Sequence, residues 1–212
     1  MTGVVGVAVR AYHLLEMTTA ARTRQLVTAA DLLALGEERR FHEVIGGELV
    51  RKADPSGEHG GAQAAVAGSL FAPFNRRPGG RLPGGWWLQT EVEIELETHD
   101  VYRPDVVGCR RERVPDRPTG SPVRVRPDWV CEVLSPSNPK DDQVTKFDTY
   151  QRCGIPHYWI VDPQLETLRV HRWTPAGYVV VLNAQRGQRV RAEPFDAIEL
   201  EVGVLFGDDP DE

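Results

Sequence analysis

Two acidic residues in short apolar segments constrain the fold of this chain more than any other feature. Asp105 lies at the start of PDVVGC (104–109), and Glu132 lies near the end of DWVCEVL (128–134). Because the two segments follow one another along the chain, we expect them to form neighbouring antiparallel strands. In such a pair the start of one strand lies beside the end of its partner. The sequence therefore predicts that the two carboxylates lie together in apolar surroundings, where an unpaired charge is costly.

A bound divalent cation would stabilise such a pair of acids. Two close carboxylates raise each other's pKa unless a cation holds them. A hard ion such as Mg²⁺ binds one or two carboxylates, with waters and phosphate oxygens as its other ligands. Two simpler interpretations stay open: the acids form a purely structural pair, or Asp105 forms a salt bridge with nearby Arg103.

A helix predicted over about 141–153 supplies a cation. Asp142, Lys146 and Tyr150 recur at intervals of four residues, so they lie along one stripe of that helix. The helix follows Glu132 after a short turn, and its early residues can therefore lean over the carboxylates. A lysine there can neutralise a phosphate in the transition state or orient an attacking water. The spacing equally allows a surface pair between Asp142 and Lys146, worth about 0.3 to 0.5 kcal/mol.

Periodicity and turn residues predict an α/β (α+β) fold, with a mixed β-sheet flanked by helices and a C-terminal β meander. Within the segment 86–97, Val92, Ile94 and Leu96 alternate with four glutamates, which indicates one half-buried strand whose glutamates form a solvated face. The alanines and glycine of a helix predicted over 61–74 suit close packing on the sheet. The other expected elements are a capped helix after Thr28, a hairpin over 41–51 turned by Gly46 and Gly47, a buried strand over 157–162, and a hairpin over 168–183 turned by TPAG.

The length of 212 residues suits one domain with a substantial core and is short for two. We expect a mobile extension over 1–25, in which Met17 makes a better natural start than Met1. A single domain over 26–206 and an acidic tail over 207–212 complete the expected organisation. No stretch approaches the ~20 apolar residues that span a bilayer, so no membrane partner is expected.

The cysteines indicate the redox environment. Cys109, Cys131 and Cys153 each lie in an apolar stretch, and they are odd in number. This pattern favours reduced, buried thiols and a cytoplasmic location. No CxxC pair or His/Cys cluster in the sequence indicates structural zinc.

The charge distribution limits how the chain could bind DNA. Its formal net charge is −6, so DNA binding would need a local basic surface. The segment 110–126 holds six arginines against Glu112 and Asp116, and it could follow a phosphate backbone. The hairpin argument places this segment far from the carboxylates, so a solvated loop is an equal alternative. The run GGWW (84–87) indicates the entry to a strand rather than a platform for stacked bases.

Several motifs, in their order along the chain, resemble the Uma-two family. This family is a group of predicted endonucleases in the restriction-endonuclease-like PD-(D/E)XK superfamily. The match covers roughly residues 26–183 and rests on FHEVIGGELV (41–50), RPDVV (103–107), EVLSPSN (132–138), the Asp142, Lys146 and Tyr150 spacing, and GIPHYWIVDP (154–163). The resemblance implies a restriction-endonuclease-like fold and DNA cleavage that depends on Mg²⁺ or Mn²⁺.

The resemblance also implies roles for individual residues. Asp105 and Glu132 would be metal ligands, and the backbone carbonyl of Val133 would complete the protein ligands. The superfamily lysine two residues after the glutamate is absent, since that position is Leu134. The family pattern moves this lysine to the next helix, where Lys146 would assist the reaction.

Two further residues, Glu43 and His59, match family positions and would act either as catalytic residues or as supports for the site. Nuclease domains of this type cut duplexes by pairing two sites, so a homodimer is expected. Two other functions stay open. One is a binding or regulatory module that keeps the fold but cleaves little, and the other is a purely structural role.

Overall fold

The computed structural model describes residues 25–135 and 140–210, and the side chains of all of these except residues 140–143. The expected extension, apart from its last residue, and the final two residues of the acidic tail lie outside this range.

The described residues form three α-helices, two 3₁₀ helices and twelve strands. The α-helices are α1 (Ala29–Ala34), α2 (Gly57–Phe74) and α3 (Lys140–Arg152), and 3₁₀ helices cover Gly36–Phe41 and Val202–Phe206. The strands are β1 (His42–Ile45), β2 (Glu48–Arg51), β3 (Trp86–Thr90), β4 (Ile94–Glu97), β5 (Asp100–Tyr102), β6 (Val106–Arg110), β7 (Trp129–Val133), β8 (His157–Asp162), β9 (Thr167–Thr174), β10 (Gly177–Gln185), β11 (Arg189–Val190) and β12 (Leu200–Glu201).

The central sheet has six strands in the order β10-β9-β8-β7-β6-β3. Only β7 and β8 run parallel among these neighbours, because α3 connects them as a crossover, and the other pairs are antiparallel. Strands β8, β9 and β10 follow one another as a meander. The mixed sheet and the C-terminal meander predicted from the sequence are therefore confirmed.

A second sheet has the antiparallel order β2-β1-β5-β4. Its β1–β2 hairpin is the one expected over 41–51, and the turn at Gly46 and Gly47 has the positive φ angles that glycine allows. This sheet brings β1 against α3, as described below, and so contributes to the candidate site from outside the central sheet.

The single strand predicted over 86–97 is wrong. The chain breaks at Glu91, which has a φ of 53°. The part before the break joins the central sheet as β3, and the part after it joins the second sheet as β4. The glutamates consequently do not form one solvated face: Glu93 is buried, where it accepts hydrogen bonds from Arg103 and Ser121.

The central sheet buries one face under α2. Trp129, Cys131 and Val133 of β7 belong to this core, together with a row of α2 residues and Phe195. The ring of Phe195 lies 4.7 Å from the ring of Phe74 on α2 and 4.8 Å from that of Trp129. Aromatic contacts at this spacing stabilise the packing beyond the area they bury.

Helix α2 differs from its prediction in two ways. It begins at Gly57, four residues earlier than expected, because the Ser56 hydroxyl accepts a hydrogen bond from the backbone N–H of His59. Ala62 is buried as expected, but Gly68 faces solvent, and a Cβ added there would touch nothing within 4 Å. The glycine therefore plays no part in close packing on the sheet.

The opposite face of the central sheet lies under α3. Val107 and Val130 belong to this second core with Tyr150 of α3 and Tyr102 of β5. The rings of Tyr102 and Tyr150 meet edge to face at 5.6 Å. The candidate site opens at the edge of this core.

The sequence also made predictions about the cysteines and about membrane-spanning helices. All three cysteines are free, with Cys109 and Cys131 buried and Cys153 partly buried, as predicted. Within the described part of the chain, no helix is long and apolar enough to cross a membrane.

Candidate functional site

The register of β6 and β7 places the two predicted acids next to each other. Val106 pairs with Cys131 and Val107 with Val130. One further step in this antiparallel register sets Asp105 opposite Glu132. Because side chains alternate along a strand, both carboxylates lie on the face that carries Val107 and Val130. The consecutive order of the two segments was enough to anticipate this placement.

Asp105 is buried and held by two donors. Its Oδ2 accepts a hydrogen bond from the backbone N–H of Val133 at 2.7 Å, and its Oδ1 lies 3.2 Å from Nε2 of His59. Burial raises the pKa of Asp105, but hydrogen bonding to His59 and the charge of Lys52 lower it further, so the net shift is downward. The hydrogen bond to Asp105 in turn raises the pKa of His59, against the opposing effect of burial. The carboxylate is thus held ionised.

Arg103 does not pair with Asp105, so that interpretation of the sequence is wrong. Its guanidinium contacts Glu93 at 2.5 Å, and it is the charge of Lys52 that helps to lower the pKa of Asp105. The strand break at Glu91 carries Glu93 to the position where Arg103 can reach it.

Glu132 faces α3. Its Oε1 accepts a hydrogen bond from the Tyr150 hydroxyl at 2.6 Å and lies 3.6 Å from Nζ of Lys146. Burial raises the pKa of Glu132 to about 7; the nearby charges of Asp105 and Glu43 add to this effect, and Lys146 and Tyr150 oppose it. This acid therefore depends on a nearby cation to be ionised at neutral pH.

Lys146 is a buried cation shared by two carboxylates. Its Nζ lies 2.8 Å from Oε2 of Glu43 and 3.6 Å from Oε1 of Glu132. Burial lowers the pKa of Lys146, but the charges of Glu132 and Glu43 outweigh burial and raise it above its usual value. The alternative of a surface lysine is excluded by this burial, and the side chain of Asp142 lies outside the described residues.

Glu43 enters the site from β1 of the second sheet. Besides its contacts with Lys146, its Oε1 accepts a hydrogen bond from the backbone N–H of Arg103 at 2.7 Å. Glu43 thus fixes the position of Lys146 relative to the chain segment that leads into Asp105. The structure brings together all five predicted side chains, namely Glu43, His59, Asp105, Glu132 and Lys146, around one cavity.

This cavity has a volume of about 370 Å³ and is also lined by Val133, Leu134 and Ser135. Its other walls come from residues after β2 and from Glu91 at the strand break. The Nδ1 atom of His59 is buried there and has no hydrogen-bond partner among the described residues. A cavity of this size can admit a small group such as a phosphate with its waters.

Lys52 is a cavity residue that the sequence analysis missed. Its Nζ donates hydrogen bonds to the backbone carbonyl of Arg103 at 2.9 Å and to Oε2 of Glu91 at 3.2 Å. Its side chain is 22% exposed, against 11% for Lys146. No local pattern marks this lysine, because it reaches the site only through the packing of the second sheet against the first.

The donor chemistry of the site suits a hard divalent ion. Among the described residues, no three His, Cys, Asp or Glu side chains converge into a metal-binding group. Mg²⁺ nevertheless needs only one or two carboxylates, because waters and phosphate oxygens complete its shell. Asp105 and Glu132, which both line the cavity, offer two such carboxylates. The hydrogen bonds to Asp105 leave acceptor capacity, since each carboxylate oxygen has two lone pairs.

Comparison with known proteins identifies the family of this chain. The family model Uma2, described as "Putative restriction endonuclease", matches residues 29–203, which is most of the chain. The chain belongs to the Uma2 family. The family resemblance predicted from the sequence motifs is therefore confirmed, and the Uma2 match spans every residue of the candidate site from Glu43 to Lys146.

A solved structure supports the same fold for this Uma2 chain. A crystal structure described as a putative nuclease belonging to DUF820, from Anabaena variabilis ATCC 29413, is similar with a TM-score of 0.63 and 22% sequence identity. The likeness covers 85% of this chain and 97% of that chain. The nuclease-like α+β fold is thus confirmed. A search of curated proteins found no significant match.

Proposed function

We propose that this Uma2 protein is a metal-dependent endonuclease that hydrolyses phosphodiester bonds in DNA. The observation that carries the proposal is the placement of Asp105 opposite Glu132 on one buried face, open to a cavity of about 370 Å³. Two buried carboxylates that face each other are costly to ionise, and a bound cation lowers this cost.

Asp105, Glu132 and the carbonyl of Val133 are the proposed ligands of Mg²⁺ or Mn²⁺. When bound, the ion would offset negative charge on a phosphate and lower the pKa of a coordinated water. The protein's part is to hold these oxygens in place. His59 and the backbone N–H of Val133 orient Asp105, and Tyr150 orients Glu132.

Lys146 and Lys52 take different parts in this proposal. Lys146 assists by keeping Glu132 ionised and positioned, because its ammonium lies between Glu132 and Glu43. Glu43 holds the lysine there and so supports the site without touching substrate. Lys52 is the more exposed cation and lies in the cavity wall, where it can contact a phosphate oxygen.

A second candidate function is a nuclease-fold binding or regulatory module that cleaves little. Two observations favour it: Lys146 already neutralises Glu132, and the chain carries a net charge of −6. Intact acids at both Asp105 and Glu132 favour the enzyme, because a module without metal has no need of them.

Cleavage of supercoiled plasmid and of single-stranded DNA separates the two functions. The wild-type protein should nick or linearise DNA with Mg²⁺ or Mn²⁺ and be inactive in EDTA, and Asp105→Ala should be inactive throughout. DNA left intact by the wild type with either metal, under conditions where it still binds DNA, would favour the binding module.

Lys52→Ala provides the test of the phosphate contact. The cleavage rate should fall by about 10²-fold, as for the loss of one preorganised donor to the transition state. Metal affinity should stay the same or rise slightly, because the change removes a positive charge near Asp105 without removing a proposed ligand. A variant with wild-type rate would assign the phosphate contact to another cation.

A further inference from the structure

Five arginines lie in two loops at the end of the central sheet away from the carboxylates. Three of them follow α2, one ends β6 and one comes directly after it; they are Arg76, Arg77, Arg81, Arg110 and Arg111. We call this group the arginine patch. Within residues 25–135 and 140–210, none of the five forms a salt bridge, whereas other arginines of the domain do.

Backbone hydrogen bonds join the two loops of the patch. The N–H of Gly85 donates to the carbonyl of Arg76 at 2.7 Å, and the N–H of Arg111 donates to the carbonyl of Gly85 at 2.9 Å. Gly84 permits this approach, since its φ is 65° and a Cβ there would lie 2.4 Å from the carbonyl oxygen of Arg77. Burial and the charge of Arg77 both lower the pKa of Arg111. Arg76, Arg77 and Arg111 are therefore neighbours.

The two tryptophans that begin β3 hold part of the patch in place. The guanidinium of Arg111 lies 3.5 Å from the ring centroid of Trp87, and its Nε donates to the carbonyl of Trp86 at 2.8 Å. The guanidinium of Arg110 lies 4.6 Å from the Trp86 centroid. Stacked guanidiniums are preorganised and weakly hydrated, which suits them to phosphate. Because arginines cover these rings, the surface is built for phosphates rather than for stacked bases.

The arginine-rich segment 110–126 is not a continuous basic track. Arg113 pairs with Asp128 at 2.8 Å, and Arg124 pairs with Glu95 at 2.7 Å. Arg117 and Arg126 form no salt bridge among the described residues, but only Arg110 and Arg111 of the segment lie beside the loop after α2. The basic surface therefore differs from the segment 110–126 that the sequence suggested, because it joins the start of that segment to the arginines after α2.

We propose that the arginine patch binds the phosphate backbone of duplex DNA at a distance from the carboxylates. The proposal rests on the proposed function in taking DNA as the substrate. Asp105 and Arg110 are five residues apart along β6, so their backbones lie about 16 Å apart and their side chains point to opposite faces of the sheet. The patch therefore binds phosphates on a surface separate from the carboxylates, and it gives an acidic protein a local site for a polyanion.

A binding measurement without cleavage tests the patch. The protein carries Asp105→Asn, the buffer contains EDTA, and anisotropy of a fluorescein-labelled 24-base-pair duplex gives Kd over a series of NaCl concentrations. The test variant is Arg76→Gln with Arg77→Gln, whose side chains are exposed and make no hydrogen bond among the described residues. The matched control is Arg124→Gln with Arg152→Gln, which removes the same two charges from arginines that are paired with glutamates.

The test variant should bind the duplex about tenfold more weakly than the parent. The slope of log Kd against log salt should fall by about 1 to 2, as expected for two lost phosphate contacts. The control should stay within about twofold of the parent. Equal losses in both variants, no loss in either, or displacement of the duplex by polyglutamate as readily as by unlabelled duplex would overturn the proposal.

The result is separable from the fate of the proposed function. If the wild-type protein never cleaves DNA but the test variant alone loses duplex affinity, the patch stands and the nuclease proposal fails. If the wild type cleaves DNA and both variants bind as the parent does, the nuclease proposal stands and the patch is refuted.

Discussion

Glu132 lies where an isolated carboxylate would be unstable. It is buried, faces Asp105 and Glu43, and depends on Lys146 and Tyr150 for its charge. The same dependence applies to Lys146, which is buried between two acids. These side chains are therefore better regarded as one charge network than as independent catalytic groups.

Lys146→Ala should destabilise the protein by about 3 to 5 kcal/mol in EDTA, because it leaves two buried carboxylates without their cation. The double variant Lys146→Met with Glu43→Gln removes one charge of each sign and should recover a large part of this loss. Urea unfolding monitored by far-UV circular dichroism measures both. A loss below about 1 kcal/mol for Lys146→Ala would show that the buried pair is not formed in solution.

At the scale of the secondary-structure elements, the β6–β7 pair was the most predictable part of the site. Two consecutive apolar segments, each with one acid, fixed both the register and the face of Asp105 and Glu132. The helix stripe was equally informative, since Lys146 and Tyr150 both reach Glu132. In each case the relevant contacts are local in sequence or follow from one hairpin.

The break at Glu91 shows where such reasoning fails. The alternation of apolar residues with glutamates begins only at Glu91, but no Gly, Pro, Asn or Asp interrupts 86–97, so the sequence carries no turn signal where the chain changes sheets. A positive φ at a glutamate is rare and has no sequence signature. The burial of Glu93 and the entry of Lys52 into the cavity both follow from packing between the two sheets, which a single strand pattern cannot reveal.

Replacement of two glycines by alanine should change the stability of the protein in opposite directions. Gly68→Ala should stabilise the protein by about 0.5 to 1 kcal/mol, because the glycine lies in the exposed interior of α2 and a Cβ meets open space. Gly84→Ala should destabilise it, since the new Cβ would collide with the carbonyl of Arg77. Thermal unfolding of the two variants measures the difference. A Gly68→Ala variant that melts below the wild type would contradict the assignment of an open helical surface.

At the scale of the whole molecule, the central sheet ends at β10. Among the described residues no further strand pairs with β10, whereas β9 lies inside the sheet, and Val180 of β10 is 56% exposed. An exposed apolar edge strand is a ready site for pairing with a second copy. The sequence predicted exposed strand edges along the meander over 168–183, but only one of its strands, β10, lies at an edge of the sheet.

We expect a homodimer in solution, formed through β10. Multi-angle light scattering at micromolar concentration should give twice the 23.7 kDa mass of the chain. Val180→Lys should shift the protein toward the monomer, because it places a charge on the pairing edge. The control Arg186→Gln lies just beyond β10 and should stay dimeric. A wild-type mass of 23.7 kDa would refute the dimer.

The central claim is that Asp105 and Glu132 form a metal site, and metal-dependent thermal stability tests it most directly. Mg²⁺ or Mn²⁺ binds only the folded protein at such a site, so saturating metal should raise the melting temperature; at a hundredfold excess over Kd the gain is about 2.7 kcal/mol. Asp105→Asn should fold but show no such rise. An equal metal-induced shift in the wild type and in Asp105→Asn would contradict the claim.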